Sequence, residues 1–175
     1  LLSAVIYIIM LVNRDKMEHI ILWNMGSVAS ATWEKFWITL PVILVCSIAL
    51  LFYAKSMNIL LHGDEISQSL GVNSHKVRRN IIILTALLAA AAVSVSGIIG
   101  FVGLMIPHLL RMIIGPDNKK LMPLCFFGGG AYLLIADTIA KMIVPSIEMP
   151  VGIITALFGV PFFIYLLRQG RKAGI

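Results

Sequence analysis

The chain has 175 residues, is 59% hydrophobic and only 13% charged, and carries a formal net charge of +6. Soluble domains hold about 45–50% apolar and about 25% charged residues, so composition excludes an ordinary water-soluble fold. The apolar runs are continuous rather than alternating, which excludes a membrane barrel in favour of an all-α, polytopic helical membrane protein. The positive charge is not a nucleic-acid footprint: the cations sit at the ends of apolar runs, and no basic face interleaved with aromatics occurs. Cys46 and Cys125 both lie inside apolar runs and make no metal-ligand spacing, so they read as small apolar side chains.

In chain order, Leu1 to Val12 is apolar but shorter than the roughly 20 residues a span needs, and reads as the tail of a first span. No basic n-region or small-residue cleavage site precedes it, so it is not read as a signal peptide, and the chain is expected to be the C-terminal portion of a larger protein. Asn13 to Glu18 is a polar break. His19 to Gly26 is a short apolar stretch ended by Gly26-Ser27, and reads as a half-helix at the interface. Trp23, Trp33 and Trp37 cluster here, as tryptophans do at membrane–water boundaries.

Phe36 to Ala54 is a clean span with Pro41 near its start and Lys55 closing it. Ser56 to Arg79 is the longest polar interval and holds Lys76, Arg78 and Arg79. Gly63 and Gly71 bracket DEISQSL. Asp64 suits an N-cap and Gly71 a C′ position, which predicts a helix of about two turns, then a second short helix from about Ser74 running into the next span. From Asn80 to Leu110 only His108 can carry charge, and the next loop, GPDNKK, is again basic. If both basic loops are cytoplasmic, the chain crosses an even number of times between them, yet there is no room for two spans of about 20 residues and a turn. The break falls at Ser94–Gly103, SVSGIIGFVG, whose glycine and serine density disfavours a helix. Asn80 to about Val95 is expected to go out, a Gly-rich turn to sit within the membrane, and Leu104 to Ile114 to return as a short helix. Irregular backbone at that depth must be buried in protein or face water, so the turn is a candidate wall of a conduit. Leu121 to Val144 goes out, with Gly128-Gly129-Gly130 offering close helix approach. Val151 to Leu167 returns. In this topology Lys55, Lys76, Arg78, Arg79, Arg111, Lys119, Lys120, Arg168, Arg171 and Lys172 are cytoplasmic, whereas Arg14, Lys16, Lys35 and Lys141 are not.

Asp137 is an acid inside a span. A proton relay is one reading; pairing with Lys141 one turn on is the plainer one. His108 shares its face with no second metal or haem ligand at a useful spacing, and reads as a helix-end histidine. No nucleophile–base pair, carboxylate dyad or GxxxxGK[ST] phosphate loop is present, so ATP, if used, is bound by another chain.

Three blocks, GDEISQSLGV, GIIGFVGLMIPHLLRMIIGPDNKKLMP and ADTIAKMIVPSIEMPVGIITALFGVPFFIYLL, resemble the permease subunits of bacterial ABC importers for iron–siderophores, haem and cobalamin, the FecCD-like family. The resemblance runs from about Trp23 to Arg168. It implies a single transmembrane permease domain over residues 1–175, about five to six spans of a ten-span permease in the bacterial cytoplasmic membrane. It implies alternating-access transport without enzymatic activity or a cofactor in this chain, with ATP held by two cytoplasmic ATP-binding cassette subunits. Further partners are a second permease copy or paired permease and an extracytoplasmic substrate-binding protein.

The family's coupling loop matches Asn58, Leu60, Gly63, Asp64, Glu65, Ser67, Leu70, Gly71 and Arg78, with Ile66 standing where a small residue is usual. Ser96, Gly97, Gly100, Phe101, Gly103 and Pro107 are expected near the translocation path. Arg14, Trp23 and Glu148 are expected to face the binding protein. The rival readings are an intramembrane haem or redox subunit and a proton-coupled transporter, using His108 and Asp137.

Overall fold

In hydrocarbon every backbone amide needs an internal partner, and an unbroken apolar run meets that need by forming a helix. A computed structural model describes residues 17–29, 31–143 and 149–172. The described residues form helices α1 (Met17–Met25), α2 (Trp33–Leu60), α3 (Asp64–Ser69), α4 (Ser74–Ser96), α5 (Val102–Ile114), α6 (Asn118–Ile143) and α7 (Val151–Lys172). The expected first-span tail Leu1–Val12, and the residues Arg14 and Glu148, lie outside the described residues.

Four helices, α2, α4, α6 and α7, are long and apolar enough to cross a membrane. At 1.5 Å per residue, the 28 residues of α2 extend about 42 Å and the 13 of α5 only about 20 Å. The hydrocarbon core is about 30 Å thick, so α5 is the short returning helix that the spacing of the basic loops demands. The second short helix expected from Ser74 is continuous with its span.

Several boundaries differ from the sequence expectation. The second span begins at Trp33, where Thr32 caps it by accepting from the Lys35 amide, and it runs through Lys55 to Leu60. A lysine near a span end can keep its charge in the headgroups while the helix continues. Pro41 consequently sits inside α2, not in its first turn, and cannot donate to the carbonyl of Trp37. α6 starts at Asn118 rather than Leu121. In the glycine triplet, only Gly128 meets a neighbour: a Cβ there would touch Ile106 and Leu110 of α5 at ordinary distances, whereas Gly129 and Gly130 face open space.

α2 packs along antiparallel α4 and also against α6; α6 packs on α5 and α7. Tyr53 and Asn80 join α2 to α4, the amide donating to the phenol oxygen at 2.8 Å. Small residues let α6 and α7 approach, with Ala136 and Ala140 buried against Val151 and Ile154. Large side chains such as Trp33, Phe52 and Phe127 remain exposed. Lipid tails are as apolar as leucine, so such surfaces carry no penalty in a bilayer.

The helix directions define two ends. One, the hairpin end, gathers the end of α2, α3, the start of α4 and the start of α6. Among the described basic residues, Lys55, Lys76, Arg78, Arg79, Arg111, Lys119, Lys120 and Arg168 belong to it, whereas Lys35 and Lys141 lie toward the other end. The other, the far end, gathers α1, the turn after α4 and the start of α7.

Candidate functional site

The α2–α3–α4 hairpin owes its shape to two glycines and a serine. Gly63 (φ +98°) and Gly71 (φ +76°) hold backbone conformations that side chains rarely adopt, while nothing crowds either Cβ position. Gly63, rather than the expected Asp64, is the N-cap residue, and Asp64 is the first helical residue, where its charge still complements the helix dipole. Gly71 takes the expected C′ place. Its N–H donates to the Gln68 carbonyl at 2.9 Å and the Val72 N–H to the Ser67 carbonyl at 2.8 Å, which is a Schellman closure. Ser67 is fully buried, and its hydroxyl donates to the Gly63 carbonyl at 2.7 Å and the Ile59 carbonyl at 3.3 Å. Arg78 reaches back to Asp64 at 2.9 Å, with both side chains exposed.

The expected coupling residues therefore divide in two. Gly63, Ser67 and Gly71 shape the hairpin. Glu65 and Leu70 are exposed on it, and Leu60 is half-buried at the end of α2. Leu61, Ile66 and Leu70 are each about half exposed or more at this otherwise polar end. Ile66, the departure from the usual small residue, is thus accommodated by facing outward.

Asn58 does something the sequence did not suggest. Its side-chain NH2 donates to Asp117 Oδ1 at 2.6 Å, and its Oδ1 accepts from both the backbone N–H and the side-chain amide of Asn118, each at 2.8 Å. Asp117 also accepts from the Lys119 N–H at 3.0 Å, so it caps α6. The Asn58 bond first, and then the Lys119 amide, hold the Asp117 carboxyl below its ordinary pKa. The available signal was the Asp-Asn pair before the apolar run of α6, an N-cap signature that reading GPDNKK only for its charge passes over.

At the far end, the Gly-rich turn and the start of α7 find their partners in α1 and the two residues that follow it. The Ile98 N–H donates to the Trp23 carbonyl at 3.3 Å, the Ser27 N–H to the Ser96 carbonyl at 2.8 Å, and the Gly152 N–H to the Gly26 carbonyl at 3.2 Å. The approach is so close that a Cβ on Gly97 would lie 2.1 Å from the Trp23 carbonyl oxygen, and one on Gly152 1.8 Å from that of Met25. Trp23 takes part through its backbone, and its side chain is half exposed.

Among the expected path residues, Gly97 is buried against protein, whereas Gly100 and Gly103 are exposed with open space around them. Phe101 has φ +66° and packs against Gly159 of α7. With Leu104, His108 and Phe162 it lines a small cleft of about 110 Å³ between α5 and α7. Pro107 lies within α5. His108 is also inside α5, not at its end as expected, because the helix starts at Val102; its ring meets Phe162 edge-on at 6.2 Å. Asp137 pairs with Lys141 at 2.6 Å, the plainer of its two readings. Among the described residues, no three His, Cys, Asp or Glu side chains group as a metal site.

The chain is 43% identical over 169 residues to the cobalamin import system permease protein BtuC of Halobacterium salinarum, covering 97% of this chain and 45% of that protein. It is 40% identical over 173 residues to the hemin transport system permease protein HmuU of Yersinia pestis, covering 98% of this chain and 52% of that protein. A solved structure described as an inward-facing metal-chelate type ABC transporter superposes with a TM-score of 0.86 at 36% identity, over 95% of this chain and 55% of that one. The chain thus spans about half the length of the relatives it matches. Residues 1–169 match the model of the FecCD transport family, and with a multi-pass helical fold shared with a solved transporter, the chain belongs to that family of membrane transport proteins.

Proposed function

We propose that this chain supplies part of the permease of an ATP-driven importer, with the hairpin end on the cytoplasmic side. The hairpin carries the proposal. Leu61, Ile66 and Leu70 are presented on a segment stiffened by Ser67 and a Schellman closure, at the end that gathers the cations. Cationic loops stay cytoplasmic. A rigid apolar knuckle in water suits a protein partner, and the partner proposed is an ATP-binding cassette subunit that docks on the exposed Leu61, Ile66 and Leu70 of the Asn58–Arg78 loop, while the Asn58 side chain faces α6 and not the partner. A second permease chain and an external binding protein complete the assembly.

The cargo class proposed is a metal chelate: an iron–siderophore first, with haem and cobalamin alongside it. The names of the relatives support the class and do not separate its members. Transport proceeds by alternating access, as ATP draws the cassettes together and the hairpins move with them. Gly100, Phe101 and Gly103 are placed along the route. The test is a cysteine at Ile66, in a permease whose Cys46 and Cys125 are replaced by alanine. It should cross-link to a co-purifying ATPase subunit and react with reagents added only from the cytoplasmic side. Labelling from outside, or no ATPase adduct, would reject the reading.

A further inference from the structure

We infer that Asn58 and Asp117 form the strut that carries motion of the hairpin into α6. The inference rests on the permease reading above and adds to it a positioning pair. Three features support it. First, the last turn of α2 is held from both sides. The Ser67 hydroxyl of α3 donates to the carbonyl of Ile59, and the neighbouring Asn58 side chain holds Asp117 and Asn118. A push on α3 therefore arrives at the residue that grips α6.

Second, the grip is directional. Apolar helix faces packed in a membrane have little to fix their register. Three hydrogen bonds from one amide, one of them to a carboxylate, fix both distance and orientation. Third, α6 is one continuous helix of 26 residues, about 39 Å long, with Pro123 and Gly128–Gly130 inside it, so a shift at its first turn is passed into the same helix that crosses to the far end. Its other end carries Ala136 and Ala140, packed on Val151 and Ile154 of α7. A displacement at the hairpin thereby tilts α6 about that packed far end.

The chemistry supplies its own test. Asn58→Asp replaces a donating NH2 by a second carboxylate facing Asp117, which repels. Asn58→Asp with Asp117→Asn exchanges the two groups. The new amide at 117 then donates to the new carboxylate at 58, which still accepts from Asn118; because Asp117 Oδ1 accepts from both Asn58 and Lys119, this exchange restores the bond between the helices and gives up the cap on the Lys119 N–H. Asn58→Leu removes the grip at similar volume and without repulsion.

Each variant is placed in the permease assembled with its ATPase in proteoliposomes. Ferric desferrioxamine, haemin and cyanocobalamin are offered in turn with the binding protein. The readout is chelate imported per ATP hydrolysed. Both single variants should keep their ATPase subunits and hydrolysis, while uptake per ATP falls about tenfold, and the exchanged pair should return to within about twofold of wild type. A merely structural role would lower assembly, hydrolysis and uptake together; that result, or no recovery in the exchanged pair, overturns the strut. A wild-type assembly that hydrolyses ATP and imports none of the three overturns the transport reading, and the strut with it.

Discussion

The two ends of this bundle fasten helices together by opposite means. At the hairpin end the fastening is made by side chains: Asn58, Asp117, Asn118 and Ser67 reach across gaps to carbonyls, amides and one another. At the far end it is made by backbone: Trp23, Gly26, Ser96, Ile98 and Gly152 exchange N–H···O bonds directly, with glycines where a Cβ would collide. Side chains have torsions, so their junction can pivot and reform. A backbone knot packed within about 2 Å of a would-be Cβ has nothing to rotate. The contrast suits a molecule that is pushed at one end and anchored at the other.

The hardest blow to the contrast is Gly97→Ala. It adds a Cβ 2.1 Å from the Trp23 carbonyl oxygen, in a positive-φ conformation, and should cost about 3 kcal/mol or more, read as a lower unfolding midpoint in detergent. Tolerance of alanine there would mean that the far end also yields.

Acid should act on the hairpin end alone. Asp117 has its folded pKa depressed, so its contribution is complete above the unfolded value of about 4 and is lost as pH falls through the lower folded value. Amide exchange at Lys119, taken relative to the intrinsic rate at each pH, should therefore stay flat from pH 8 to 5 and rise only below about 4, with no matching rise at Ile98. A rise at both ends together would erase the distinction.

The smallest effect belongs to Arg78→Ala. The ion pair with Asp64 is exposed on both sides, and such pairs contribute about 0–1 kcal/mol, so the unfolding midpoint should barely move. A large loss would show that the hairpin leans on charge rather than on Ser67 and the Schellman closure.

Much of this was legible in one dimension, for reasons that particular residues make plain. Gly71 announced a C′ position because few other residues accept φ +76°, and the apolar runs announced spans because hydrocarbon leaves the backbone no alternative to a helix. The shortness of α5 followed from the spacing of basic loops against the thickness of a bilayer. The ends of α2 were less legible: Thr32 is an ordinary polar residue until its hydroxyl is seen accepting from Lys35. The partners of the turn after α4 were not legible at all. Trp23 acts there through its carbonyl, which every residue possesses, and 73 intervening positions separate it from Gly97.

What the sequence determined by itself was therefore local and periodic: which segments are helices, which loops are cationic, where the chain must break, and which family it belongs with. What only the tertiary structure decided was pairing at distance. Asn58 with Asp117 and Gly97 with Trp23 are chosen by how the helices lie side by side, because a hydrogen bond or a missing Cβ has meaning only once its partner has been brought within reach.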